Sequence, residues 1–346
     1  MPIILGIEST AHTFGVGIVK NGKILSNVKK TYTTEKGGII PVDAAKHHRE
    51  NAEQIYSVSL EKSGIDEKDI DAIAFSQGPG LAPCLLAGLE FAKKLSEKLK
   101  KPIVPVNHCI AHLEVGKTTG AKNPVMLYVS GANTQIIAYS SGKYRIFGET
   151  LDIGVGNFID NFARFLGIGF PGGPAIQELA SKSKNYVELP YVVKGMDISL
   201  SGILTNLKQK FESKKYKIED LCYSMQETVF AMLVETAERA LAHTGKSELL
   251  LGGGVACNTR LQEMCRIMCS ERINSLTDSS KSRATERKNK TKLFVPDNSV
   301  LVDNGAMIAF LGEIMFQHGI KIPTEKIKTL DIKPRQRTDE VEVKWK

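Results

Sequence analysis

Apolar and polar positions along the chain form two similar blocks. The first block has an apolar segment at 3–7, a polar turn, a second apolar segment at 14–19 and an Asn-Gly pair at 21–22. An Asn-Gly pair between apolar runs is a strong hairpin signal. The second block has the same order over 125–146, with a Ser-Gly pair at 141–142. Two such units about 120 residues apart predict a duplicated fold.

Short apolar strands follow the first block, for example at 71–75 and 103–106, and they alternate with helical patterns. This alternation predicts an α/β fold, with mixed sheets flanked by helices in two lobes and a cleft between them. We expect an N-terminal lobe over 1–120, completed by a helix around 303–325. The C-terminal lobe is expected over 121–302.

Composition narrows the class of protein. Hydrophobic residues make up 42% and charged residues 24%, which excludes a disordered or collagen-like chain. The six cysteines form no C-x-x-C pair, which argues against a zinc ribbon and a disulfide framework. No apolar run approaches the ~18 residues of a membrane span, and the first residues do not resemble a signal peptide. We therefore expect a cytoplasmic protein without membrane contacts.

A basic stretch interrupts the C-terminal lobe. The net charge of +8 already favours polyanionic partners. From Ser270 to Lys292 the apolar pattern fails, and six Lys or Arg residues from 281 onward are accompanied by one acid, Glu286. Two interpretations remain open for the predicted loop insertion at about 274–292. It is either a solvated spacer or a contact for nucleic-acid phosphates.

Two histidines have the spacing of a metal site. His108 and His112 stand at i and i+4, so a helix would place both imidazoles on one face. The spacing alone also fits a structural pair. A metalloprotease would need Glu after the first His, where this chain has Cys109. The sequence therefore disfavours that class of enzyme.

Three glycine-containing loops follow strands or open helices. They lie at 152–164, where a Gly-x-Gly loop enters an amphipathic helix, at 170–174, and at 252–258, which ends on Asn258. Such loops can offer backbone amides to a phosphate, but they also serve close packing, and Asn258 could be a plain N-cap. Asp303 opens a helical pattern, either as an N-cap or as a carboxylate ligand.

Taken together, the motifs resemble the actin-like ATPase superfamily with its duplicated ribonuclease H-like lobes. More specifically, they are similar to the tRNA N6-adenosine threonylcarbamoyltransferases of the archaeal and eukaryotic KEOPS complex. The segments that carry the resemblance are Gly6–Thr13, Gln77–Leu81, Asn107–His112, Leu127–Gly131, Leu151–Asp160, Gly169–Pro174, Lys194–Asp197, Ser201–Thr205, Gly253–Asn258, Asp303–Ala309 and Arg335–Val341.

The resemblance implies a metal site and an adenylate site. The implied metal is one divalent ion, with iron favoured and zinc possible, held by His108, His112, Tyr128 and Asp303. The implied ligand of the second site is ATP or threonylcarbamoyl-AMP. Its contacts fall on Tyr128, Val129, Ser130, Gly131, Ala132, Asp160, Gly173, Gln177 and Asn258. The family usually has Gly at the position of Ala132 and Glu at the position of Gln177.

The implied reaction is a transfer to tRNA. The threonylcarbamoyl group would move from threonylcarbamoyl-AMP to N6 of the adenosine 3′ to the anticodon, with release of AMP. The implied partners are tRNA and KEOPS-type proteins, including a small atypical kinase/ATPase and a small dimerising subunit. No general base can be assigned from the sequence.

Two alternatives belong to other classes. An ATPase of the same superfamily would hold Mg²⁺ through carboxylates and would lack the His pair. A non-catalytic nucleotide-binding scaffold in a tRNA-modifying assembly becomes plausible if Ala132 and Gln177 impair the nucleotide site. A metal assay followed by a tRNA transfer assay with partner proteins separates these classes.

The basic stretch yields a first prediction. If it contacts phosphates, deleting residues 274–290 lowers tRNA affinity and flattens its salt dependence, by about 0.7 to 0.9 in the logarithmic slope per lost contact. Metal content and adenylate affinity should not change. Binding titrations at several salt concentrations measure this, and an unaltered slope would identify the stretch as a spacer.

Overall fold

The fold consists of two compact units. A computed structural model describes residues 1–35, 37–272 and 291–346. Unit 1 comprises Met1–Thr118, Ser140–Tyr144 and Asp297–Lys346, and unit 2 comprises Thr119–Tyr139 and Arg145–Pro296. The basic stretch at 274–290 lies outside the described residues, so the prediction for it stays a prediction.

The described residues contain two five-stranded sheets. The strands are β1 Ile3–Glu8, β2 Thr13–Lys20, β3 Lys23–Thr31, β4 Ala72–Gly78, β5 Ile103–Asn107, β6 Val125–Val129, β7 Thr134–Ser140, β8 Lys143–Glu149, β9 Val193–Lys194, β10 Asp197–Ile198, β11 Glu248–Gly252 and β12 Lys292–Phe294. The first sheet has the order β3-β2-β1-β4-β5, and the second has the order β8-β7-β6-β11-β12. Strands β9 and β10 form a separate pair.

The two sheets share one topology, which confirms the predicted duplication. In the first sheet β1 pairs antiparallel with β2 and parallel with β4, and β4 pairs parallel with β5. In the second sheet β6 pairs antiparallel with β7 and parallel with β11, which pairs parallel with β12. The mixed α/β architecture predicted from the sequence is therefore present in both halves.

Helices flank the sheets. They are α1 Pro41–Ser63, α2 Ala82–Leu99, α3 His108–Gly116, α4 Val155–Phe165, α5 Gly173–Ser181, α6 Ser201–Glu212, α7 Ile218–Thr244, α8 Thr259–Glu271, α9 Asn298–Leu301 and α10 Gly305–Gln317. All six residues of β1 are buried, as expected for a strand that is covered on both faces. Within residues 1–35, 37–272 and 291–346, no helix is long and apolar enough to cross a membrane.

The hairpins follow from their turn residues. Asn21 and Gly22 have φ angles of 52° and 68°, and Ser141 and Gly142 have 50° and 78°. Two consecutive left-handed residues characterise the tight hairpin turn that matches strand twist. Both hairpins therefore turn at the residue pairs that the sequence predicts.

Helix α10 packs directly on strands β1 and β2 because glycines line the contact. A Cβ atom at Gly6 would lie 2.2 Å from the backbone nitrogen of Ala309. A Cβ at Gly17 would lie 2.3 Å from the nitrogen of Ala306, and one at Gly305 would lie 2.3 Å from the nitrogen of Gly17. These are contacts between backbones, so no side chain can be accommodated without moving the helix or the sheet.

This contact predicts a large effect of a small substitution. Gly305→Ala should lower the free energy of unfolding by about 3 kcal/mol, at the upper end of overpacking costs, because the neighbouring atoms are backbone. Urea unfolding followed by the fluorescence of Trp345, the single tryptophan of the chain, reports on unit 1. As a control, Gly202→Ala on α6 meets no atom within 4 Å and should leave stability within about 1 kcal/mol by circular dichroism. Equal stability of both variants would contradict the backbone contact.

Candidate metal and nucleotide sites

Helix α3 carries the two predicted metal-binding histidines at its start and middle. It begins directly after β5, and the Asn107 side chain caps it by accepting a hydrogen bond of 3.1 Å from the backbone N–H of Ile110. All nine helix residues are buried. The imidazoles of His108 and His112 lie on one face with ring centroids 4.8 Å apart. The helix therefore holds the pair rigidly in the interior of unit 1.

Asp303 faces this pair. Its Oδ1 lies 3.2 Å from Nε2 of His112 and 3.4 Å from Nε2 of His108. The N-cap of α10 is Asn304, whose side chain accepts a hydrogen bond from the N–H of Met307 at 2.9 Å. The alternative that Asp303 is the N-cap is therefore wrong. Its carboxylate contacts the two histidines instead.

Glu8 completes the cluster, and sequence reasoning missed it. Its side chain is fully buried, and Oε2 lies 3.0 Å from Nδ1 of His108. The other oxygen, Oε1, accepts hydrogen bonds from the backbone N–H of Thr10 at 2.7 Å and from its hydroxyl. The sequence did contain a signal for Glu8, because it directly follows an apolar strand. A carboxylate buried at such a position needs a hydrogen-bonding or charged partner.

Charge and burial set the protonation of the cluster. Burial lowers the pKa of His108, but the charges of Glu8 and Asp303 outweigh burial and leave the pKa well above its ordinary value. Burial lowers the pKa of His112, so this imidazole is neutral and can offer a lone pair. Burial raises the pKa of Asp303, and the neighbouring histidines overcome this effect and leave the pKa well below its usual range. The cluster thus pairs buried carboxylates with positive charge.

The donor set fits a divalent transition metal. The His and Asp ligand atoms all lie within 4.8 Å of one another. Ligand atoms that share one tetrahedral ion at about 2.0–2.2 Å are themselves about 3.3–3.6 Å apart, close to the His–Asp distances of 3.4 Å and 3.2 Å here. Glu8 bonds the ring nitrogen of His108 that faces away from Asp303, which is the usual support of a metal-binding imidazole. Imidazole and carboxylate donors suit iron or zinc.

The predicted nucleotide residues all lie in unit 2, together with Tyr128, the fourth predicted metal ligand. Tyr128 and Val129 are buried at the end of β6. The following loop is closed by a hydrogen bond of 2.8 Å from the N–H of Ser130 to the carbonyl of Asn133. Gly131 and Ala132 are exposed at its tip, and their N–H groups make no hydrogen bond within the part of the chain that the structure describes. These amides can receive an anion.

The start of α4 does not offer the free amides that the sequence predicted. The N–H of Val155 donates to the Thr134 hydroxyl at 2.8 Å. The N–H groups of Gly156 and Asn157 donate to the carbonyls of the loop after β6, at 3.0 Å and 2.8 Å. The interpretation in which this helix end offers its amides to an anion is therefore not supported for these three donors, because Thr134 and the loop after β6 occupy them. The amides available to an anion are those of the loop itself.

Glycines bring three loops of unit 2 together. A Cβ atom at Gly154 would lie 2.4 Å from the carbonyl oxygen of Gly131. Gly253 has a φ of 91°, and a Cβ there would lie 2.4 Å from the carbonyl oxygen of Val129. Close packing, the alternative purpose considered for these glycines, is thus present. It places the ends of β6 and β11 and the start of α4 side by side.

The remaining predicted residues have hydrogen-bonding roles inside unit 2. Oδ1 of Asp160 accepts a bond of 2.8 Å from the N–H of Gly172, which fixes the turn before Gly173. Oδ1 of Asn258 caps α8, and its amide donates to Gln226 at 2.6 Å. Nε2 of Gln177 donates to the Thr259 hydroxyl at 3.3 Å. The structure therefore brings Gln177 beside the start of α8 and bears out the N-cap interpretation of Asn258. Contacts of these residues with a nucleotide stay a prediction.

Comparison with known proteins covers nearly the whole chain. Residues 23–310 match the family described as TsaD, tRNA N6-adenosine threonylcarbamoyltransferase. The chain is 54% identical to the tRNA N6-adenosine threonylcarbamoyltransferase of Thermococcus kodakarensis, over 99% of each chain. It is 46% identical to the probable enzyme of that name from Drosophila melanogaster, over 100% of this chain and 99% of the other.

A solved structure supports the fold. The crystal structure of HypF from T. kodakarensis aligns with a TM-score of 0.61 at 15% identity, and it covers 92% of this chain and 48% of that chain. At this identity the likeness concerns the fold alone. The alignments to the two transferases extend over nearly the whole chain, so the resemblance in the sequence is confirmed. The chain belongs to the tRNA N6-adenosine threonylcarbamoyltransferase family.

Proposed function

We propose that the protein transfers a threonylcarbamoyl group from threonylcarbamoyl-AMP to N6 of the adenosine 3′ to the anticodon of tRNA. The observation that carries this proposal is the family match over nearly the full length together with the buried cluster of His108, His112 and Asp303. In the reaction, N6 attacks the carbamoyl carbon and forms a C–N bond. The bond from that carbon to the phosphate oxygen breaks, AMP leaves and N6 loses one proton.

The chemistry demands precise positioning. The N6 lone pair is delocalised into the adenine ring, so the amine is a weak nucleophile and must be held in line with the carbamoyl carbon. The anticodon loop presents unstacked bases, which makes the amine accessible without opening a duplex. Developing charge on the leaving phosphate needs donors, and the N–H groups of the exposed residues Gly131 and Ala132 can supply them. We assign no general base.

Unit 1 would hold the metal and unit 2 the adenylate. His108, His112 and Asp303 are the ligands that unit 1 offers, and Tyr128 is the fourth ligand that the family implies. When bound, iron or zinc would act as a Lewis acid toward an oxygen of the donor. Glu8 keeps the His108 ring in place through the bond to Nδ1. Ala132 adds a methyl group to the loop, and Gln177 replaces a carboxylate by an amide that still accepts a hydrogen bond.

We further propose that tRNA and KEOPS-type protein partners, including a small kinase/ATPase and a small dimerising subunit, act with this chain. The decisive experiment combines the chain with these partners, tRNA and threonylcarbamoyl-AMP and measures the modified nucleoside and AMP. Formation of both in equal amounts supports the proposal. AMP without modified tRNA would instead indicate hydrolysis of the donor. If the protein binds the adenylate but forms no product, the nucleotide-binding scaffold is favoured.

The metal site gives a direct prediction. His108→Ala and His112→Ala should each remove the metal and abolish transfer, because no neighbouring side chain can replace a lost imidazole ligand. Glu8→Gln should weaken metal binding about 10- to 100-fold, since it loosens the orientation of His108. His318→Ala, at the exposed end of α10, is the matched control and should keep the metal. Elemental analysis measures the content, and a full complement in both ligand variants would refute the site.

The adenylate site gives another prediction. Asp160→Ala and Asn258→Ala should each weaken binding by about 1–3 kcal/mol, or about 5- to 150-fold, if each removes a buried hydrogen bond to the ligand. Gln177→Glu should leave affinity unchanged or raise it, because a charged acceptor binds ribose hydroxyls more strongly. Isothermal titration calorimetry with a non-hydrolysable ATP analogue measures these changes.

A control separates binding from folding in this series. Asn258 also caps α8, so its alanine variant loses helix stability as well. Asn258→Ser keeps a capping oxygen but lacks the amide group, and it should bind as weakly as Asn258→Ala while unfolding at nearly the wild-type temperature. Wild-type affinity in the serine and Asp160→Ala variants would place the nucleotide elsewhere.

A further inference from the structure

The segment at 330–337 is hydrogen-bonded to the part of unit 1 that carries the proposed metal ligand His108. The N–H of Lys333 donates to the carbonyl of Gln77 at 2.8 Å, and the carbonyl of Pro334 accepts from Gly80 at 3.1 Å. Oε1 of Gln336 accepts a hydrogen bond of 3.1 Å from the Asn107 side chain. Asn107 is the cap of α3, and the next residue in the chain is a predicted metal ligand. The bond between Gln336 and Asn107 therefore ties the segment to the residue that directly precedes His108.

A shallow cavity of about 600 Å³, largely open to solvent, lies along this segment. It is lined by Lys333, Pro334, Arg335, Gln336 and Glu340. The hydrogen bonds of Lys333, Pro334 and Gln336 described above hold the backbone of this segment in place. The cavity is therefore formed before any ligand arrives.

Two cations of the cavity have no protein partner. Lys333 and Arg335 are exposed, and neither side chain makes an ion pair or hydrogen bond within residues 1–35, 37–272 and 291–346. The nearby acids Asp339 and Glu340, the second of which also lines the cavity, bond Arg337 and not these two cations. Asp339 accepts from Nε of Arg337 at 3.1 Å, and Glu340 accepts from the Arg337 backbone N–H at 3.1 Å.

Two exposed, unpaired cations on a backbone that is held in place suit phosphate groups. Arg can bind a phosphate with two parallel hydrogen bonds, and Lys binds it as a point charge. Phosphodiester contacts of this kind orient a nucleic acid without reading its sequence. The backbone of an RNA loop offers successive phosphates. Two phosphates can each contact one of the two cations, which are separated by one residue, whereas a single small anion cannot extend along both.

We propose that Lys333 and Arg335 form a phosphodiester-binding site for the RNA backbone beside the target adenosine. This inference rests on the proposed function, because the RNA is the tRNA substrate of the transfer. The site positions the substrate strand at the metal-bearing end of unit 1. It adds no chemical group to the reaction, so both residues are positioning residues.

The test compares charge-matched variants of the full chain. The double variant Lys333→Gln and Arg335→Gln removes two contacts. Its control, Lys326→Gln and Lys328→Gln, removes two exposed charges from the turn Thr324–Thr329 of the same unit. Binding of tRNA and of an isolated anticodon stem–loop is titrated across salt concentrations, and donor affinity and transfer with partner proteins are measured beside it.

The expected result is a change in the salt slope that is specific to the cavity. Each contact to a single strand contributes about 0.7 to the slope, so two lost contacts flatten it by about 1.4. Between about 50 and about 200 mM salt, wild-type affinity should then fall about sevenfold more than that of the cavity variant. The control variant should keep the wild-type slope, and so should the charge-retaining variant Lys333→Arg and Arg335→Lys.

Several outcomes would overturn the inference. An unchanged slope in the cavity variant, or equal flattening in the control, would show that these cations act only through net charge. Loss of donor affinity with an unchanged RNA slope would assign the cavity to the adenylate phosphate. If the wild type makes modified tRNA while the slopes coincide, the inference fails and the proposed function stands. If the wild type makes none, the proposed function itself fails.

Discussion

Backbone contact between α10 and the first two strands is the constraint on which unit 1 depends. Gly6, Gly17 and Gly305 leave no side chain between helix and sheet, so the two backbones are in direct contact. Asp303 lies two residues before that helix, and its carboxylate reaches both histidines. A proposed metal ligand that lies 191 residues after His112 in the sequence is thereby held by packing that involves no functional group.

The duplicated topology carries different chemistry at equivalent places. Strand β1 ends in Glu8, whose buried carboxylate supports His108. Strand β6 occupies the same position in the second sheet and ends in the loop whose exposed Gly131 and Ala132 offer backbone amides. One fold thus presents imidazole and carboxylate groups in unit 1 and backbone amides in unit 2, because the residues at the strand end differ.

Burial gives the metal cluster its electrostatic character. An isolated carboxylate pair in the interior would be strongly unfavourable, so Glu8 and Asp303 require positive charge between them. The charges of Glu8 and Asp303 accordingly raise the pKa of His108. A divalent ion would satisfy the same requirement and would leave Glu8 to orient the ring. The same carboxylates therefore favour positive charge at this position, whether a proton or a bound cation supplies it.

The sequence by itself determined whatever depends on neighbouring residues. The Asn-Gly and Ser-Gly turns, the alternation of strands and helices, and the helical spacing of His108 and His112 are short-range signals, and the family motifs added the pairing with Asp303. Only the tertiary structure decided contacts between distant segments. Glu8 meets a histidine 100 residues away, and the loop after β6 occupies the donors of α4. Local patterns specify backbone conformation, but which polar groups satisfy one another in the interior is set by how the whole chain packs.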